Sequence, residues 1–120
     1  MRRIIPLSLL ALLLGASAVD AHAFLDHAEP GVGATVRIAP RELTLTFTER
    51  IEPAFSAVEV DDAAGNRVDK GRILLDGKDG ATLHVPHKPL GAGAYVVKWR
   101  AVSVDTHKTE GSFTFHVAGP

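Results

Sequence analysis

The chain has 120 residues, with 13 Lys and Arg against 14 Asp and Glu, 1 methionine and no cysteine. A charge balance this even offers no basic stripe for neutralising phosphates, which argues against a nucleic-acid partner. The missing cysteine excludes disulfides and thiolate metal sites, and with Met1 as the only methionine no thioether site for a soft metal can form downstream.

Residues 1–21 read as a secretory signal. Met1-Arg2-Arg3 is a basic start, residues 4–14 are apolar, and Gly15-Ala16-Ser17-Ala18 is small. Pro6 and Ser8 interrupt the apolar run, which falls short of the roughly 18 residues expected of a membrane-spanning helix. Arg2-Arg3 reads as positive charge; the alternative, a twin-arginine export address, has no support around the pair beyond the pair itself. Three positions satisfy the small-x-small rule for cleavage, after Ala18, after Ala21 and after Ala23, and the pattern alone leaves all three open. Cleavage after Ala21 leaves one domain, 22–120, long enough for a single core. Losing Arg2, Arg3 and Asp20 then leaves 11 basic and 13 acidic residues, a net charge of −2. A stand-alone soluble monomer is expected.

Downstream, strict alternation over 42–48 sets Leu43, Leu45 and Phe47 against Glu42, Thr44, Thr46 and Thr48, the period-two signature of a half-buried strand. Short β-rich runs follow at 57–60, 72–75, 82–85, 94–102 and 112–117. Pro30-Gly31, Gly65-Asn66, Asp76-Gly77, Asp79-Gly80 and Gly91-Ala92-Gly93 punctuate them as turns. No sustained helical period appears. The expected fold is all-β: about seven short antiparallel strands in a Greek-key barrel or sandwich, immunoglobulin- or cupredoxin-like. Tyr95, Val97, Trp99 and Ala101 share one face of their strand while Lys98 and Arg100 take the other. Phe113, Phe115 and Val117 repeat the pattern, so the aromatics belong to the core.

Six histidines stand at 22, 27, 84, 87, 107 and 116. His84, His87 and His116 read as surface residues at strand or turn positions. His107 has company: in Asp105-Thr106-His107 a carboxylate and an imidazole stand two apart, which in extended backbone projects both to one side, towards one ion. His22 becomes the first residue if cleavage falls after Ala21. The free amine and ring Nδ1 of an N-terminal histidine can close a six-membered chelate on one ion, an all-nitrogen arrangement that suits tetragonal Cu(II).

Over nearly all of 22–120 the chain resembles the periplasmic copper-binding proteins of the CopC type. The resemblance rests on His22, Glu29-Pro30, Leu45-Thr46-Phe47-Thr48-Glu49, Gly93-Ala94-Tyr95, Trp99-Arg100-Ala101-Val102-Ser103, Asp105-Thr106-His107 and Gly111-Ser112-Phe113-Thr114-Phe115, in that order. It implies cleavage after Ala21 and one Cu(II) per chain. The metal ligands would be the amine and ring of His22, the ring of His107, and Asp105 at or near an axial position. It also implies that Glu49 supports the site by hydrogen-bonding and orienting a ligand or the amine. Some members carry a methionine-rich Cu(I) site as well. The segment 51–75 has no methionine, so that function does not carry over. His27 matches nothing in the resemblance.

The implied protein is a periplasmic binder for copper resistance or homeostasis and not an enzyme, sequestering Cu(II) through a histidine brace and passing it to an inner-membrane protein of the CopD type. A copper-dependent oxidase or monooxygenase would use a similar brace. Against it stand a carboxylate where oxygen would need space and a lack of spare aromatics for a polysaccharide surface. A metal-free immunoglobulin-like interaction module would follow from cleavage at either of the other two sites.

Overall fold

The structure is a computed structural model that describes residues 24–120; the expected leader, 1–21, and His22 lie outside the described residues. Eight strands and one 3-10 turn follow in order: β1 (Leu25–Glu29), β2 (Thr35–Val36), β3 (Glu42–Phe47), the turn Pro53–Phe55, β4 (Ala57–Asp62), β5 (Leu74–Leu75), β6 (Thr82–Pro86), β7 (Gly93–Val102) and β8 (Lys108–Val117). They form two four-stranded sheets, ordered β1-β3-β6-β5 and β2-β8-β7-β4. The expected all-β sandwich is observed, with one more strand than anticipated and one parallel pair, β2 with β8.

Alternation accounts for how the sheets face each other. Leu43, Leu45 and Phe47 of β3 are buried against Tyr95, Val97, Trp99 and Ala101 of β7 and against Phe113, Phe115 and Val117 of β8. Lys98 and Arg100 stay exposed. The aromatic core is continuous: Phe24 and Phe47 have ring centroids 5.5 Å apart, and Phe47 meets Trp99 edge-on at 5.4 Å. Gly111 is required beneath that indole, since a Cβ there would lie 2.8 Å from Trp99 Cζ2.

The unanticipated elements lack an apolar period. In β1 only Ala28 is buried, and β2 is a two-residue edge pairing. β8 begins at Lys108 and not at 112, because every residue of β7 pairs with it from Gly93↔Val117 to Val102↔Lys108. The run at 72–75 contributes only Leu74–Leu75, while the run at 57–60 extends to Asp62.

Two polar groups fasten the connection between β4 and β5. Asp69, whose side chain is inaccessible to solvent, accepts hydrogen bonds from Arg67 Nε (3.0 Å), Arg67 Nη2 (2.8 Å), Val60 N (2.9 Å) and Gly71 N (2.9 Å). Burial by itself would push this carboxyl up. The Arg67 guanidinium and the two amides outweigh it and hold Asp69 below its ordinary value. Beside Asp69, His87 corrects the expectation of a surface histidine. It is 7 % exposed, its Nδ1 donates to the Lys88 carbonyl at 2.6 Å, and its backbone is bridged to that of Asp69. His116 is exposed as expected. His84 is partly covered, with Nδ1 2.7 Å from Glu42 Oε2 and Nε2 3.2 Å from Asp76 Oδ2.

Candidate metal centre

At the exit of β3 the chain leaves the sheet through Thr48, Glu49 and Arg50, and four backbone hydrogen bonds fix its path. Thr48 N donates to Phe24 O (2.9 Å), Ile51 N to Gly80 O (2.8 Å), Glu52 N to Val102 O (2.8 Å) and, from the neighbouring loop, Val104 N to Arg50 O (2.9 Å). The last two clamp the exit of β3 to the turn between β7 and β8. Glu49 therefore stands beside residues more than fifty positions later in sequence.

That turn, 103–107, is organised by Ser103, which is fully buried. Its backbone N donates to His107 O at 2.9 Å and its carbonyl accepts from Thr106 N at 2.9 Å. Its hydroxyl oxygen accepts from His107 N at 3.1 Å and its hydroxyl donates to Asp105 Oδ1. Thr106 closes the turn at φ 73°, a left-handed conformation that costs a β-branched residue energy and that tends to be kept where geometry serves a site. Asp105 and His107 come together, as the spacing predicted, but for another reason: the turn folds them towards each other, and no extended strand is involved.

His107 Nδ1 lies 3.4 Å from Asp105 Oδ1 and 3.8 Å from Glu49 Oε1. Among the described residues these three make up the one group of His, Asp and Glu side chains whose potential ligand atoms all fall within 4.8 Å of one another. Their side chains remain open to solvent, at 70 % for His107, 57 % for Asp105 and 40 % for Glu49. The Ser103 hydroxyl holds the Asp105 carboxyl below its ordinary value, against an opposing effect of desolvation and with help from His107 and Glu49. The group thus offers one imidazole and two carboxylates, a nitrogen and oxygen donor set suited to a divalent transition-metal ion.

His22 lies outside the described residues. Phe24, the first described residue, is buried, and its carbonyl accepts from both Thr48 N and Thr48 Oγ1 (3.3 Å), next to Glu49. His27 stays apart from the group: it pairs with Asp26 at 2.8 Å on the exposed face of β1. In the sequence Ser103 only closes the motif Trp99-Arg100-Ala101-Val102-Ser103. A serine at a strand end carries no signal of its own, and its role emerges once the turn is closed.

The CopC domain family matches residues 25–118. Protein YobA of Escherichia coli strain K12 is 37% identical over 112 residues, spanning 92% of this chain and 90% of that protein. Copper resistance protein C of Xanthomonas campestris pv. juglandis is 35% identical over 115 residues, with 91% and 90% covered. Among solved structures, the crystal structure of CopC from Methylosinus trichosporium OB3b superposes with a TM-score of 0.75 at 32% identity, covering 82% of this chain and 95% of that one.

Proposed function

The chain belongs to the CopC domain family, and from that membership we propose that it is an exported protein that binds one Cu(II) as cargo through His22, His107 and Asp105. The observation that carries this reading is the convergence of Glu49, Asp105 and His107 beside the anchored carbonyl of Phe24. Phe24 is hydrogen-bonded to Thr48, the neighbour of Glu49, and only Ala23 separates it from His22, which favours an N-terminal His22 amine as a further donor to that group. Cleavage after Ala21 and a mature domain of 22–120 belong to the same proposal.

In it, the His22 amine and ring and the His107 ring supply the nitrogen donors that tetragonal Cu(II) favours, with Asp105 near an axial position. The Asp105 carboxyl is held ionised by Ser103, so it is ready as an anionic donor without first losing a proton. Glu49, 3.8 Å from the His107 ring, orients that ring or accepts from the amine. The donor set is wholly nitrogen and oxygen, and with no thioether or thiolate downstream of Met1 it favours Cu(II) over Cu(I). Binding and release, without turnover, make this a protein of copper resistance or homeostasis in the periplasm. Its cargo would pass to an inner-membrane protein of the CopD type.

Intact-mass measurement of the exported protein, titrated with Cu(II), tests the proposal. A chain beginning at His22 that takes up one copper, and a His107→Ala variant that keeps the fold but loses most of its affinity, are the expected results. A chain beginning at Val19 or Phe24, or a His107→Ala variant with undiminished uptake, overturns it.

A further inference from the structure

The opposite pole of the sandwich carries a different chemistry. β3 enters at Glu42 and leaves at Phe47, so the residues before it stand a strand length, about 20 Å, from the exit that leads to Glu49 and the candidate metal centre. β6 runs antiparallel with Pro86 opposite Glu42, which brings 87–90 to the same pole as 37–41. There an open cavity of about 430 Å³ is lined by Ile38, Arg41, Lys70, Lys88 and Leu90, among others. Lys70 and Lys88 are pinned by their backbones, Lys70 N donating to Pro86 O at 2.9 Å and Lys88 N to Val68 O at 2.8 Å.

Arg41, Lys70 and Lys88 are exposed, as is Arg37 beside Ile38. Among the described residues none of the four has a carboxylate partner, whereas Asp69 and Asp61 pair with Arg67 and Lys98. Ile38, which lines the same cavity as Arg41, Lys70 and Lys88, is 66 % exposed. An isoleucine held out to solvent beside unpaired cations matches a surface that is anionic outside and apolar beneath.

We propose that this pole docks on an anionic phospholipid bilayer. Ile38 enters the interface while Arg37, Arg41, Lys70 and Lys88 meet headgroup phosphates. The inference rests on the exported reading, which puts the chain beside such a membrane, and it leaves the copper ligands facing away from the lipid. The domain as a whole is slightly acidic, so attraction comes from the local patch, which screening confines to about 8 Å at physiological salt.

Sedimentation of the mature protein with vesicles of phosphatidylcholine alone, and of phosphatidylcholine mixed with phosphatidylglycerol, is the test. The protein is expected to sediment with the anionic vesicles only, and less so as sodium chloride is raised. Each cation at such a surface contributes roughly fivefold in partitioning, so Arg41→Gln with Lys88→Gln together should lower it by about 25-fold. Ile38→Ser should lower it as well. Copper uptake, measured on the same samples, should be unchanged in these variants; a wild-type chain that fails to bind copper yet binds lipid defeats only the copper assignment. Equal sedimentation with both vesicle types, no sedimentation, or variants that partition like wild type would overturn the proposal. So would release from vesicles by inorganic phosphate beyond that caused by chloride at equal ionic strength, which would point to a small-anion pocket.

Discussion

Gly111→Ala tests whether the core of the sandwich has the packing described. Gly111 sits opposite Trp99 in the β7–β8 register. A methyl there would lie 2.8 Å from Trp99 Cζ2 and 3.0 Å from Cε2, against an ordinary carbon–carbon contact of about 3.5–4.0 Å. The indole cannot swing away cheaply: it is 5 % exposed and packs edge-on against Phe47, which packs against Phe24. Overpacking of this kind costs about 1–3 kcal/mol. For a domain of this size that corresponds to a fall in Tm of roughly 5–20 °C, readable by circular dichroism. Trp99→Phe removes the ring atoms in conflict, so the cost of Gly111→Ala should be clearly smaller in that background. A Gly111→Ala protein that melts with wild type, or costs that simply add in the double variant, would refute the close packing of Gly111 beneath Trp99.

Asp69→Asn should destabilise the fold by about 2–3 kcal/mol, since a solvent-inaccessible carboxylate loses its charge-assisted bonds to Arg67. Because the folded-state value of Asp69 is depressed, its contribution is complete above the ordinary carboxylate range and fades as pH falls through the lower folded value. Acid titration of wild type and variant should therefore converge at low pH; parallel curves would show that Asp69 does not titrate in this way. Ser103→Ala should weaken Cu(II) binding by roughly tenfold and alter the Cu(II) electron paramagnetic resonance spectrum, because Asp105 and the His107 amide both lose the hydroxyl. Unchanged spectrum and affinity would remove Ser103 from the site. Acidification should release copper as the nitrogen donors take up protons and not through the carboxylate, since Asp105, held below its ordinary value, keeps its charge to lower pH than a free carboxylate. Copper retained undiminished well below the imidazole range would exclude an amine and imidazole donor set.

What was legible in the sequence was whatever a local period encodes. Strict alternation decides which side of a strand faces inward whatever its partner, so Leu43, Leu45, Phe47, Trp99 and Phe115 could be placed in the core from the chain alone. The order of the motifs around Asp105, His107 and Glu49 likewise sufficed to mark the family and to nominate a site. Tertiary structure decided the rest, because the deciding contacts join residues far apart in sequence or too few to show a period. β1 and β2 exist by pairing with β3 and β8; His87 is buried where its backbone bridges to Asp69. The bond from Val104 N to Arg50 O, which closes one loop onto another, is what sets Glu49 beside Asp105 and His107, and no spacing rule in the chain announces it. Local propensity acts over a few residues, while a metal site collects donors wherever the folded backbone happens to bring them together.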